Sequence, residues 1–211
     1  MSKPPVRPSR GDTRRDEPTT GVREAQPGFH PEADSPTTGV RGAIDALVQA
    51  ALVDLFQAYG VSLAPLPRSE LRRLSAFPEI SAAITFTSGA RSSKPGRLTL
   101  SIPSEVLEQM TNDPTRVVRH SDWARELANQ LMGRIKNRLL QFSVRVTTGL
   151  PSNPDAKRLQ AELTGSTALR IYLGRTLRGQ VVATLEGMPK ESELVYVGPE
   201  CVATEGDMIL F

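Results

Sequence analysis

Glu126 and Asn129 stand three residues apart in residues 121–140, SDWARELANQLMGRIKNRLL. Apolar residues recur there four apart, at Trp123, Leu127, Leu131, Ile135 and Leu139, with Ala124, Ala128 and Met132 beside them. That spacing predicts an amphipathic helix. Positions three apart on a helix are neighbours one turn on, so the outer face offers a carboxylate and a carboxamide side by side. The carboxylate accepts hydrogen bonds and pairs with a cation. The amide both donates and accepts and is never ionised. Together they can orient a water or a charged group, but an intrinsic hydrolase needs more than an acid and an amide.

Asp122, Gly133, Lys136 and Asn137 fall on the same strip as Glu126 and Asn129, within roughly a third of the circumference. Ser121 is placed to cap the helix, and Asp122 in its first turn suits the dipole. A glycine inside a helix costs about 1 kcal/mol against alanine. Gly133 on the outer face is therefore either drift or a flat spot that lets another surface come close. Acids, amides and lysines outside a helix are commonly just a solvated face, so spacing alone does not settle a role.

The remaining chemistry is sparse. The chain has 211 residues, enough for one domain with a core plus a tail. A net charge of +3 with scattered basic residues gives no basic and aromatic array for nucleic acid. One cysteine, Cys201, excludes an intrachain disulfide and fits a reducing compartment. It lies without a nearby histidine and reads as a small apolar filler. His30 and His120 are the only histidines, so no metal-ligand cluster is visible. His120 is read as a surface residue near a helix end. No phosphate-binding loop or dinucleotide fingerprint is present. The polar N-terminus lacks the apolar core of a secretory signal, and no run approaches a membrane span, which points to the cytoplasm.

Residues 1–42 are rich in Pro, Gly, Ser, Thr and charge, and this composition predicts a disordered tail. The tail repeats itself. Asp16-Glu17-Pro18-Thr19-Thr20-Gly21-Val22-Arg23 recurs as Asp34-Ser35-Pro36-Thr37-Thr38-Gly39-Val40-Arg41. Two polar copies cannot form a solenoid. The repeat is either an inherited duplication or a short motif used twice, for a docking partner or for a Ser/Thr kinase.

The folded part is expected over 43–211. Residues 43–59 form a second amphipathic helix with Ile44, Leu47, Val48, Ala51, Leu52, Leu55 and Phe56 inward and Gly60 ending it. Pro65 and Pro67 break the chain. Strands are expected at 80–88 and 97–102, and Ser104 caps a short helix at 105–110. After the long helix come a strand at 142–147, a loop at 149–155, a hairpin of 168–173 with 180–185, and short strands at 194–197 and 208–211. Few long crossovers imply a mostly antiparallel sheet packed with two long helices, an α+β domain.

Asp122-x-x-x-Glu126-x-x-Asn129 resembles the D-x-x-x-E-x-x-N helix signature of the CheX/CheC/FliY chemotaxis phosphatases. Gly133 continues the likeness. So does the segment Thr147-Thr148-Gly149-Leu150-Pro151, similar to the G-L-P that follows this helix in CheX-like domains. The upstream run Gly96-Arg97-Leu98-Thr99-Leu100-Ser101-Ile102-Pro103 is similar to the strand before the family's first short helix. The resemblance spans roughly residues 43–211 and implies the CheX-like fold, built of two pseudo-symmetric halves. Setting the first helix on the second places Asp45 at Asp122, Gln49 at Glu126 and Leu52 at Asn129. That loose match implies one site per chain, as in CheX, rather than two.

The resemblance also implies a substrate: the aspartyl-phosphate of a CheY-like receiver domain, in chemotaxis or motility signalling. The receiver brings its own Mg²⁺ and lysine, and this chain binds no cofactor. Asn129 would orient a water for in-line attack on phosphorus, and Glu126 would pair with the receiver's lysine. Asp122 and Gly133 would serve docking. The alternative is a non-catalytic CheX-like adaptor in a signalling or flagellar-switch-type complex. CheX-like domains also form homodimers by joining sheets edge to edge, so short late strands leave a homodimer open here.

Overall fold

The computed structural model describes residues 42–74, 77–89, 95–111, 119–154 and 169–199, with Leu159 and Leu163 besides. Residues 1–41, with both copies of the repeat, lie outside that range, as do Cys201 and the strand expected at 208–211. Helix α1 runs Ala43–Ala58, α2 Ser104–Met110 and α3 His120–Leu139. The strands are β1 Ala64–Leu66, β2 Ile80–Ser88, β3 Gly96–Ile102, β4 Val146–Ser152, β5 Arg170–Arg175 and β6 Gln180–Glu186. They form one antiparallel sheet in the order β1-β5-β6-β3-β2-β4. This is the α+β architecture expected from the sequence, with two long helices against the sheet. No helix among the described residues is long and apolar enough to cross a membrane.

The core follows from two periodicities. The seven apolar residues expected to face inward on α1 are the ones it buries. On α3, Ala124, Leu127, Ala128, Leu131, Met132, Ile135 and Leu139 are buried. These stripes meet alternate residues of the central strands: Ala82, Ile84 and Phe86 of β2 and Leu98, Leu100 and Ile102 of β3. Both helices share that core, α3 over β2, β3 and β4, and α1 against α3 and toward β1 and β5. The sheet's other face carries a smaller cluster of Leu169, Ile171, Leu173 and Val182, packed against Leu71 and Leu74.

Local sequence fixes the helix ends. Gly60 has φ of 71°, and its N–H donates to Gln57 O at 2.9 Å while that of Val61 donates to Phe56 O at 3.0 Å. That pair of bonds is a Schellman ending, which favours glycine at this step. It leaves Tyr59, the C-cap residue of α1, beside α3. At the far end, α3 passes into a 3-10 turn, Leu140–Phe142, and Ser143 takes a left-handed φ of 55°.

Three local expectations are corrected. The strand after α3 starts at Val146, not 142, and runs through Gly149-Leu150-Pro151, which had been expected as loop. Phe142 and Val144 are buried beneath the end of the helix, so their apolar alternation serves the helix-to-strand turn instead. Ala64–Leu66 is a strand despite Pro65, because it is a sheet edge, where a missing N–H is tolerated. Residues 194–197 form no strand. The Val197 N–H donates to Gln141 O at 2.8 Å and the Tyr196 ring meets Phe142 edge-on, which ties that segment to the end of α3.

Candidate functional site

Helix α3 places the candidate residues by burying its other face. It begins at His120, with Arg119 as N-cap and no side-chain cap hydrogen bond. Ser121 is therefore within the first turn and does not cap, contrary to the expectation from sequence. Asp122 does sit in the first turn, and its Oδ1 pairs with Arg125. His120 lies 4.0 Å from Glu108.

Glu126 and Asn129 are both exposed, while Leu127 and Ala128 between them are fully buried. The acid and the amide therefore leave the helix on the solvent side, one turn apart. Among the described residues, no side chain or backbone group bonds the Asn129 amide, so both its donor and its acceptor face outward. Glu126 is held. Gln130, four residues on, turns its Nε2 back to donate to Glu126 Oε1 at 2.9 Å. Tyr59 Oη in turn donates to Gln130 Oε1 at 2.8 Å. The Tyr59 ring meets Trp123 edge-on, with centroids 5.3 Å apart. Sequence reading missed Gln130 and Tyr59. A Gln four residues after Glu126 was the available signal; its partner 71 residues upstream was not readable.

A Cβ added to Gly133 meets nothing within 4 Å. Among the described residues, packing thus does not require this glycine, and the helix surface at this position is open.

The corresponding face of α1 has a different fate. Leu52, at the step equivalent to Asn129, is fully buried. Asp45, at the step of Asp122, belongs to a polar network. Its Oδ1 accepts from Arg170 Nη1 and from Tyr172 Oη, each at 2.8 Å. Glu191 accepts from Arg170 at 3.3 Å and from the Gly42 N–H at 2.9 Å, which ties down the start of α1. Burial, with the hydrogen bond to Asp45, pushes the Tyr172 phenol far above its ordinary range. Burial works against the Arg170 charge, but Asp45 outweighs it and holds the guanidinium above its ordinary value. A cleft of about 840 Å³ opens here, lined by Asp45, Gln49, Arg68, Arg170 and Glu191 among others. Its charged groups are mostly matched to one another, which reads as a tie between α1 and β5. The α3 face is instead an exposed helix surface on which Asp122 and Glu126 bond only to neighbours on the same helix and the Asn129 amide is open.

Among the described residues no group of three or more His, Cys, Asp or Glu could hold a metal ion. The chemistry of the α3 site is thus that of one held carboxylate, one open amide and an uncrowded glycine.

The sequence matches no family model and no curated protein. Solved structures do match. The chemotaxis protein CheX from Vibrio vulnificus aligns at TM-score 0.50 and 14% identity, covering 67% of this chain and 94% of that one. A CheC-like superfamily protein from Shewanella sp. PV-4 aligns at TM-score 0.50 and 16% identity, covering 69% and 98%. At these identities the likeness is one of fold, and the fold is that of the CheX- and CheC-like chemotaxis proteins.

Proposed function

We propose that this CheX-like domain is a cytoplasmic protein phosphatase for the aspartyl-phosphate of a CheY-like receiver domain. The observation that carries the reading is the exposed pair on α3, Glu126 held and Asn129 open, with the uncrowded Gly133 one turn beyond Asn129. The pattern Asp122, Glu126, Asn129 supports it by resemblance, and the fold is consistent with it.

The reaction is hydrolysis of a mixed anhydride of carboxylate and phosphate. Water attacks phosphorus in line, the bond from phosphorus to the aspartyl oxygen breaks, and carboxylate and inorganic phosphate leave. An acyl phosphate is already labile, so holding the water on the reaction axis supplies most of what is needed. Asn129 does this with one oriented amide, accepting from the water through Oδ1. Its neutrality suits a site crowded with phosphate oxygens. Glu126 pairs with the receiver's lysine and sets the register of the helix. Asp122 extends the docking strip, and Gly133 admits the receiver's surface. The Mg²⁺ that neutralises the phosphoryl group belongs to the receiver.

Release of phosphate from a panel of phosphorylated receivers of the same genome tests the reading. Accelerated release from at least one receiver supports it. Binding of receivers without acceleration would instead make the chain an adaptor, in a signalling or flagellar-switch-type complex.

A further inference from the structure

Resting on the receiver reading of the α3 site, we infer that Gln130 is a positioning residue for Glu126, itself set by the hydroxyl of Tyr59. The two hydrogen bonds form a chain from α1 to the exposed carboxylate: Tyr59 Oη to Gln130 Oε1 at 2.8 Å and Gln130 Nε2 to Glu126 Oε1 at 2.9 Å.

The direction of this chain is fixed by chemistry at both ends. An ionised carboxylate only accepts, so the NH₂ of Gln130 must face Glu126. The carbonyl then faces Tyr59, whose hydroxyl supplies the proton. Turning the amide over would set two acceptors against each other at Glu126. Tyr59 is placed by three features: it caps α1, the chain turns away immediately after it at Gly60, and its ring rests edge-on against Trp123 at 84°. Trp123 lies one turn before Glu126 on α3. Tyr59 and Gln130 are half-buried while Glu126 is exposed, so order is passed outward from the packed helix pair.

A solvent-exposed Glu ordinarily samples many rotamers and loses that freedom on docking. Here the carboxylate is ordered before the partner arrives, which lowers the cost of association. Gln130 therefore acts on recognition through Glu126 and not on the water that Asn129 holds.

Two variants test this in the intact chain. Gln130→Ala removes the bridge, and Tyr59→Phe removes only the hydroxyl, leaving the ring against Trp123. The readouts are the χ1 couplings of Glu126 by NMR, and KM and kcat toward a phosphorylated receiver. Glu126 should occupy one rotamer in the parent and average over several in both variants. Gln130→Ala should raise KM by about 3–10-fold with kcat within about twofold, Tyr59→Phe should move it less, and Gln130→Ala should add nothing to Glu126→Ala. Unchanged Glu126 couplings in Gln130→Ala overturn the inference. So does a KM effect that persists in the Glu126→Ala background. If the parent releases phosphate from no receiver yet the Glu126 couplings respond, the phosphatase reading fails and the positioning role stands.

Discussion

Leu52 on α1 is fully buried and Asn129 on α3 is exposed, although the two fall at one step when Asp45 is set on Asp122. At that step only α3 presents an amide to solvent. Gln49→Ala should therefore leave receiver dephosphorylation unchanged. Leu52→Asn should create no second site. It should lower unfolding free energy by about 3 kcal/mol or more, because it removes core volume and buries an amide. Urea melts alongside phosphate release check both statements.

Gly133→Ala separates folding from function. Nothing within 4 Å would meet the added methyl group, and alanine is the better helix former by about 1 kcal/mol. The variant should melt higher than the parent. If the glycine is there to admit a partner, the same variant should raise KM for the phosphorylated receiver. A more stable protein with unchanged KM would return Gly133 to drift.

Much of this was legible in the chain. The 3.6-residue period named every buried residue of α1, because an amphipathic helix leaves little ambiguity about its inward face. The hairpin of β5 and β6 and the outward strip of α3 came from equally local signals. What failed was context. Phe142, Val144 and Val146 alternate like a strand, yet the first two close the end of α3, since a left-handed step at Ser143 can redirect the chain. Pro65 reads as a break and Pro151 as part of a loop, yet they lie in the two edge strands, positions visible only once the sheet order is known. Ser121 has capping chemistry, but the helix had already begun at His120. The bond from Tyr59 to Gln130 joins two helices, and no local pattern announces it.

Acid should weaken the protein through Glu79. The hydroxyl of Ser104 donates to its carboxylate at 2.6 Å and the Ser104 N–H at 2.8 Å, tying the start of α2 to the residue before β2. The Ser104 hydroxyl chiefly, and against a smaller penalty from burial, holds Glu79 below its ordinary value of 4.5. A carboxyl whose pKa is depressed by folding adds stability above its unfolded value and loses it as pH falls through the folded one. Unfolding free energy should thus decline below about pH 4.5, and Ser104→Ala should flatten that decline. Urea melts from pH 6 down to about pH 3 measure the slope; equal slopes in parent and variant would remove Glu79 from the account.

Glu126→Ala should act on recognition and leave the chemical step largely intact. Losing one partner of an ion pair at an interface should weaken receiver association by about tenfold, seen as a rise in KM and, by calorimetry, in Kd for a receiver loaded with an acyl-phosphate mimic. The effect should shrink as salt rises, because the pair is exposed before docking. A fall in kcat at unchanged KM would instead assign Glu126 to the water.

The most direct measurement is the decay of a phosphorylated receiver in the presence of Asn129→Ala. The side chain is exposed and, among the described residues, bonded to nothing, so the variant should keep the parent's melting temperature and still bind the receiver. Its acceleration of phosphate release should fall by about 100-fold or more, the scale of losing the orientation of a reacting group. Release at the parent's rate from the folded variant would contradict the account at its centre.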